Sequence, residues 1–121
     1  MRTMLKSKIH RARVTQANID YEGSITIDRE LMEAADILPY EMVHVLDVNN
    51  GARLTTYAIE GEPASGVIGM NGAAARLVHQ GDTVIILSYH DLGEDEALRA
   101  KPTLVYVDAG NRIIDVKGDA W

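Results

Sequence analysis

Tyr21-Glu22-Gly23-Ser24 is the stretch of this chain whose residue types and order could do chemistry. A hydroxyl directly after a glycine can attack the glycine's carbonyl carbon. The resulting N-to-O acyl shift trades an amide for an ester, a weaker linkage. The setting is suggestive, because a polar turn over 18–23 meets the cleanly alternating run Ser24-Ile25-Thr26-Ile27. Glycine at that junction can take a strained conformation that other residues avoid. Taken by itself, a Gly-Ser pair is most often an ordinary turn.

The elements that would have to position such a group are mostly short strands. Residues 4–15 read as a first strand, with Lys8 and His10 on one face and Leu5 and Ile9 on the other. Residues 24–27 form a second strand. Asp28 then caps a short helix over 29–35, with Leu31, Met32 and Ala35 inward. Two β-rich runs, 42–48 and 53–59, flank Asn49-Asn50-Gly51-Ala52, a hairpin signal because Asn and Gly tolerate positive φ. Val67 to Met70 is a short strand, Asn71-Gly72 a tight turn, and Ala73 to Arg76 one helical turn. Gly81-Asp82 leads into the apolar strand 83–89. An acidic loop or helical turn spans 91–97, and 103–107 pairs with 112–116 in a last hairpin. The tail 118–121 reads as loose. Strands divided by turns at this density predict a small, mainly β barrel or sandwich in a single domain.

Composition narrows the chemistry. The 121 residues hold no cysteine, which removes disulfides, thiol nucleophiles and thiolate zinc sites. His10, His44, His79 and His90 lack the close spacing of a metal site, so no metal is expected. No apolar run is long enough to span a bilayer, and no signal peptide is seen, so a cytoplasmic location is expected. The net charge of −6 disfavours nucleic acid as a partner. The charge is uneven, however: Arg2, Lys6, Lys8, Arg11 and Arg13 all precede the first acid, Asp20. They are either a solvated strand face or a source of cations for an anionic substrate.

The ordered set Lys8, His10, Tyr21-Glu22-Gly23-Ser24, Ile27-Asp28, Asn50-Gly51, Arg53, Thr56-Tyr57-Ala58-Ile59, Asn71-Gly72-Ala73-Ala74-Ala75 and Gly81-Asp82 resembles the bacterial aspartate 1-decarboxylases over roughly residues 1–107. Leu46 stands where some members carry an aromatic residue near the pocket, and the tail beyond Val107 has no part in the likeness.

The resemblance implies a double-psi β-barrel, assembled as a homotetramer with active sites between subunits. It implies conversion of L-aspartate to β-alanine and CO2, in the service of pantothenate synthesis. It further implies self-cleavage after Gly23 into chains 1–23 and 24–121, with Ser24 turned into a covalent pyruvoyl group. That keto group would condense with the substrate amine and act as the electron sink that an external cofactor supplies elsewhere. By the same likeness Arg53 anchors the substrate's side-chain carboxylate, and Lys8 adds a second positive charge. Thr56 supplies a hydrogen bond to the oxyanion of processing and Tyr57 donates a proton in turnover. Gly72, Ala73 and Ala74 form a substrate-binding turn. Asn71 holds substrate or the processing intermediate, and His10 supports processing or is only a polar neighbour. A maturation helper protein is left open. The rival reading is a non-enzymatic small barrel of the swapped-hairpin DNA-binding type. Its only support is the basic first strand, and it leaves Tyr21-Glu22-Gly23-Ser24 unexplained.

Overall fold

A computed structural model describes residues 1–118. Its strands are β1 (Arg2–Arg13), β2 (Gln16–Asn18), β3 (Ser24–Asp28), β4 (Met42–Asp47), β5 (Arg53–Gly61), β6 (Ile68–Asn71), β7 (Thr83–Leu92), β8 (Thr103–Val107) and β9 (Ile113–Lys117). Two short helices, α1 (Arg29–Ala34) and α2 (Glu94–Arg99), and a 3-10 turn at Gly72–Arg76 complete the elements. The predicted elements are all present. The expected tail falls mostly on residues 119–121, outside the described residues.

The strands join in one nine-stranded sheet, in the order β2-β6-β3-β5-β4-β7-β1-β8-β9. The chain runs straight from β1 into β2, near the far edge of that order. Val14 N–H donates to Asp82 O and Thr15 N–H to Ile68 O across the junction, so the sheet curls round on itself. Parallel pairs β1–β8, β2–β6 and β3–β5 are interspersed among antiparallel ones. Such non-sequential parallel pairing leaves no local mark in a sequence, since it depends on crossovers between distant segments.

The core follows the period of two. Val43, Val45, Val84 and Ile86 point inward from β4 and β7, meeting Ile25, Ile27, Ile68 and Met70 from β3 and β6, all fully buried. Each such aliphatic side chain contributes on the order of 1.5–3 kcal/mol on burial. In β1 the alternation breaks twice. Register shifts fall between Leu5 and Ser7 and between Ile9 and Ala12. The second coincides with Arg11 at φ 62°, and it moves the buried set from Ser7 and Ile9 to Ala12 and Val14. The first corrects the expected face-sharing of Leu5 with Ile9. The extra residue at the shift sets Leu5 opposite Tyr89, while Ile9 stays opposite Ile86.

Asp28 does cap α1, its carboxylate accepting from Glu30 N–H at 2.8 Å. The same buried carboxylate also accepts from Ala64 and Gly66 N–H, tying the loop after β5 to the base of β3. In the β4–β5 hairpin it is Gly51 that takes positive φ, 76°, whereas Asn50 keeps negative φ and its side chain accepts from Ala52 N–H and donates to Leu77 O.

Candidate active site

Ser24 opens β3 and is 1% exposed. It pairs with Asn71 across β6, while Ile25, its neighbour, pairs with Ala58 of β5. Three elements therefore converge on it: β6 running into the 3-10 turn, the middle of β5, and the turn 18–23. Asn71 Nδ2 donates to Ser24 Oγ at 2.9 Å and to Thr26 Oγ1 at 3.0 Å. From β5, the Tyr57 hydroxyl donates to the Gly23 carbonyl oxygen at 3.1 Å. The Ser24 hydroxyl and the Gly23 carbonyl are thus each held by a side chain from a neighbouring strand.

The backbone strain lies one residue later than the sequence suggests. Ser24 itself has φ 122°, a region L-residues rarely occupy, whereas Gly23 has no positive φ and open space where a Cβ would project. The reason is a neighbour. Gly72, at φ 64°, packs so closely on the turn that a Cβ on it would lie 2.9 Å from both Gly23 N and Tyr21 O. Gly72 thereby presses the turn into place, and the chain must twist at Ser24 to enter the strand.

Two cavities flank this bond. One, of about 620 Å³, is walled by Tyr21, Gly23, Ser24, Tyr40, Tyr57 and Glu60. The other, of about 240 Å³, is walled by Gly23, Ser24, Thr56, Asn71, Ala73 and Ala74 among others. Ser24, Gly23, Thr56, Tyr57, Asn71, Ala73 and Ala74 are therefore brought together, with Gly72 beneath the turn. Lys8, His10 and Arg53 line neither cavity. Arg53 lies further along β5, in a separate recess of about 170 Å³ with His44 and Leu46. Lys8 sits between Leu87 and Leu104 in the middle of β1. His10 packs edge-on to the Tyr106 ring at 5.6 Å, with its Nδ1 buried and unpartnered. Burial, then Lys8 and Arg11, lowers the His10 pKa. Among the described residues, the charged ones around the two flanking cavities are Glu22 and Glu60, and no cation lines either.

Some features of the site were not foreseen. Tyr40 stands at the rim with φ 72°, and nothing in its local pattern marks a left-handed residue. Glu60 comes from the last turn of β5. Thr26 could have been found, since two residues on from Ser24 in a strand means the same face.

Comparison with known proteins places the chain in a family. A family model described as aspartate decarboxylase matches residues 1–114. The chain is 63% identical over 114 residues to an aspartate 1-decarboxylase of Dehalococcoides mccartyi strain CBDB1, covering 94% of this chain and 92% of that one. The aspartate 1-decarboxylase of strain 195 of the same species matches to the same extent, 63% over 114 residues. Among solved structures, a rationally designed double-psi β-barrel protein superposes with a TM-score of 0.52 at 16% identity, covering 73% of this chain and 96% of its own. That likeness bears on fold alone, and the fold is a small double-psi β-barrel, as expected from the sequence.

Proposed function

The chain belongs to the aspartate decarboxylase family, and from that premise we propose that it is an enzyme that releases CO2 from L-aspartate to give β-alanine after cutting its own backbone between Gly23 and Ser24. The observation that carries the reading is the buried Ser24 at φ 122°, with Oγ held by Asn71 and the preceding carbonyl held by Tyr57. Residues fixed in rare backbone regions cost roughly 1–3 kcal/mol and persist where the surroundings over-determine them. Opening the Gly23–Ser24 peptide relieves that strain.

Ser24 Oγ bonds to the Gly23 carbonyl carbon and the C–N bond breaks, leaving an ester and a free Ser24 amine. Loss of the Ser24 α-proton expels Gly23 as a carboxylate and leaves a dehydroalanine. Water then replaces its nitrogen, ammonia departs, and a pyruvoyl group caps chain 24–121. The oxygen that becomes anionic in the first step is the Gly23 carbonyl oxygen. The Tyr57 hydroxyl already donates to it, and Thr56, which also faces Ser24, is the second candidate donor.

The residues around Ser24 suit such a group: Ser24 itself is buried, cavities open beside it, and Tyr57 donates to the carbonyl that precedes it. When present, the keto group supplies an electron sink for loss of the α-carboxylate. Tyr57 is then within reach of the new terminus as proton donor. Ala73 and Ala74, with no bulk beyond Cβ, leave backbone N–H groups accessible to a carboxylate. Aspartate carries two carboxylates, yet among the described residues the cavities beside Ser24 present only Glu22 and Glu60 as charged groups. This supports active sites shared between subunits, with the partner subunit supplying the guanidinium of Arg53 and the ammonium of Lys8; the homotetramer is what membership of the family implies.

Denaturing intact-mass measurement of the purified protein tests the reading. The expected result is two fragments divided after Gly23, the larger with a carbonyl-bearing N-terminus, together with β-alanine formation from aspartate. Decarboxylation by a protein that stays as one unbroken chain would overturn it.

A further inference from the structure

The geometry points to Thr26 as a positioning residue for self-cleavage, acting on the nucleophile through the amide of Asn71. This assignment rests on the function proposed above. Ser24 and Thr26 lie two apart on β3, so both hydroxyls leave the same face, and Asn71 sits directly opposite Ser24 with Gly69 opposite Thr26. Both hydroxyl oxygens are served by one atom, Asn71 Nδ2, at 2.9 and 3.0 Å. An amide nitrogen has two hydrogens, so two acceptors match its donors one for one.

That match decides which end of the amide faces Ser24. Asn side chains present a donor and an acceptor of nearly equal shape, and the surrounding hydrogen bonds select the orientation. With the nitrogen facing the two hydroxyls each amide hydrogen has its own acceptor, and rotating the amide would exchange two N–H donations for two hydroxyl donations to its oxygen. Ser24 Oγ is therefore kept as an acceptor, and its own proton is left free to depart as the oxygen attacks. The Asn71 N–H also favours the developing negative charge on Oγ. Without the Thr26 hydroxyl one buried N–H loses its acceptor, and the amide is free to turn its oxygen toward Ser24, where it would hold the proton that must leave.

Thr26 is itself held in the orientation this requires. A Cβ on Gly61, the partner of Asp28 in β5, would lie 3.0 Å from Thr26 Cγ2, so the bare Gly61 backbone makes room for the methyl group. With the methyl packed there, the hydroxyl is the branch that faces Asn71. β-Branched side chains have few χ1 options, so this preference is stiff.

The experiment follows the rate at which freshly purified precursor divides after Gly23, for wild type, Thr26→Val, Thr26→Ala and Thr26→Ser, with a melting temperature for each. Val keeps the shape and removes the hydroxyl, so division should slow roughly tenfold, the upper range of one hydrogen bond. Ser keeps the hydroxyl and should recover most of the rate, which a merely structural role would not predict. If the Val variant fails to fold, the Ala variant reads the same loss. Division of the Val or Ala variant at the wild-type rate would overturn the assignment, as would a Ser variant as slow as Val. A wild-type chain that never divides would instead sink the function proposed above.

Discussion

At Ser24 the chain carries its tightest conjunction of strain and contact: positive φ, almost complete burial, a donor on its hydroxyl and a donor on the carbonyl before it. Replacing Ser24 by Ala removes the attacking oxygen, and the variant is expected to remain a single chain with no decarboxylation, read by intact mass and a CO2 assay. Tyr57 donates to the carbonyl oxygen of the bond proposed to be cut. Tyr57→Phe should still divide, more slowly, while steady-state decarboxylation falls about 10²-fold or more, in the range of a lost general acid; normal turnover would remove Tyr57 from that role. His10 has a different signature. Its lowered pKa, from burial and then from Lys8 and Arg11, means the folded chain favours neutral imidazole. That stability is present above the ordinary histidine value of about 6.5 and is lost as pH falls through it toward the lower folded value. Melting temperatures at pH 7.5 and 5.5 should differ more for wild type than for His10→Gln; equal differences would show that His10 does not carry the effect.

The β4–β5 hairpin and the turn before β7 meet at two carboxyl groups. Asp47 is buried, its Oδ1 accepting from Asn49 and Asn50 N–H, and among the described residues no N–H or hydroxyl donor reaches its Oδ2, which leaves the Asp82 carboxyl as its neighbour. Two carboxylates cannot bond to each other without a proton. Burial first, then Asp82, pushes the Asp47 pKa up, while the bond from Asp47 and the His79 N–H hold Asp82 down. The stability that protonated Asp47 contributes is thus present at low pH and lost as pH rises through its raised value. Asp82 shows the opposite trend, its contribution being lost on acidification. Asp47→Asn replaces the shared proton with a permanent N–H donor. The variant should melt higher than wild type at pH 8, by about 1 kcal/mol of stability, with the gap closing toward pH 4; a lower melting point at pH 8 would contradict the pairing. The same turns reach the site, since Asn50 grips the Leu77 carbonyl and Leu77 lines the smaller cavity beside Ser24. At the 3-10 turn, Gly72→Ala forces a Cβ into the backbone at Gly23 and Tyr21 and adds roughly 1–2 kcal/mol of left-handed strain. Processing should fail or slow sharply in that variant, as read by fragment mass, even where the barrel still forms.

Across the whole molecule, the separation of Lys8 and Arg53 from the cavities at Ser24 makes a distinctive demand. If the substrate's side-chain carboxylate is held by a neighbour's cations, neither a Ser24→Ala chain nor an Arg53→Ala chain alone should turn over aspartate. Co-expressed, they should form mixed assemblies in which an intact Ser24 meets an intact Arg53, and part of the activity should return. No recovery in verified mixed assemblies would place both residues in one subunit's site.

The sequence alone determined the elements, the Asp28 cap and the hairpin at Gly51, because period-two alternation, caps and turn residues are local. It also supported the double-psi barrel, through likeness rather than pattern. Only the tertiary structure decided the closure of the sheet, the bulges that turn Leu5 away from Ile9, the strain at Ser24 rather than Gly23, and the distance of Lys8, His10 and Arg53 from it. Each of these depends on which distant strand lies alongside. Gly72 against Gly23 and Asn71 against Ser24 are contacts across nearly fifty residues of chain. A backbone torsion set by a neighbour's missing side chain is written nowhere near the residue that bears it.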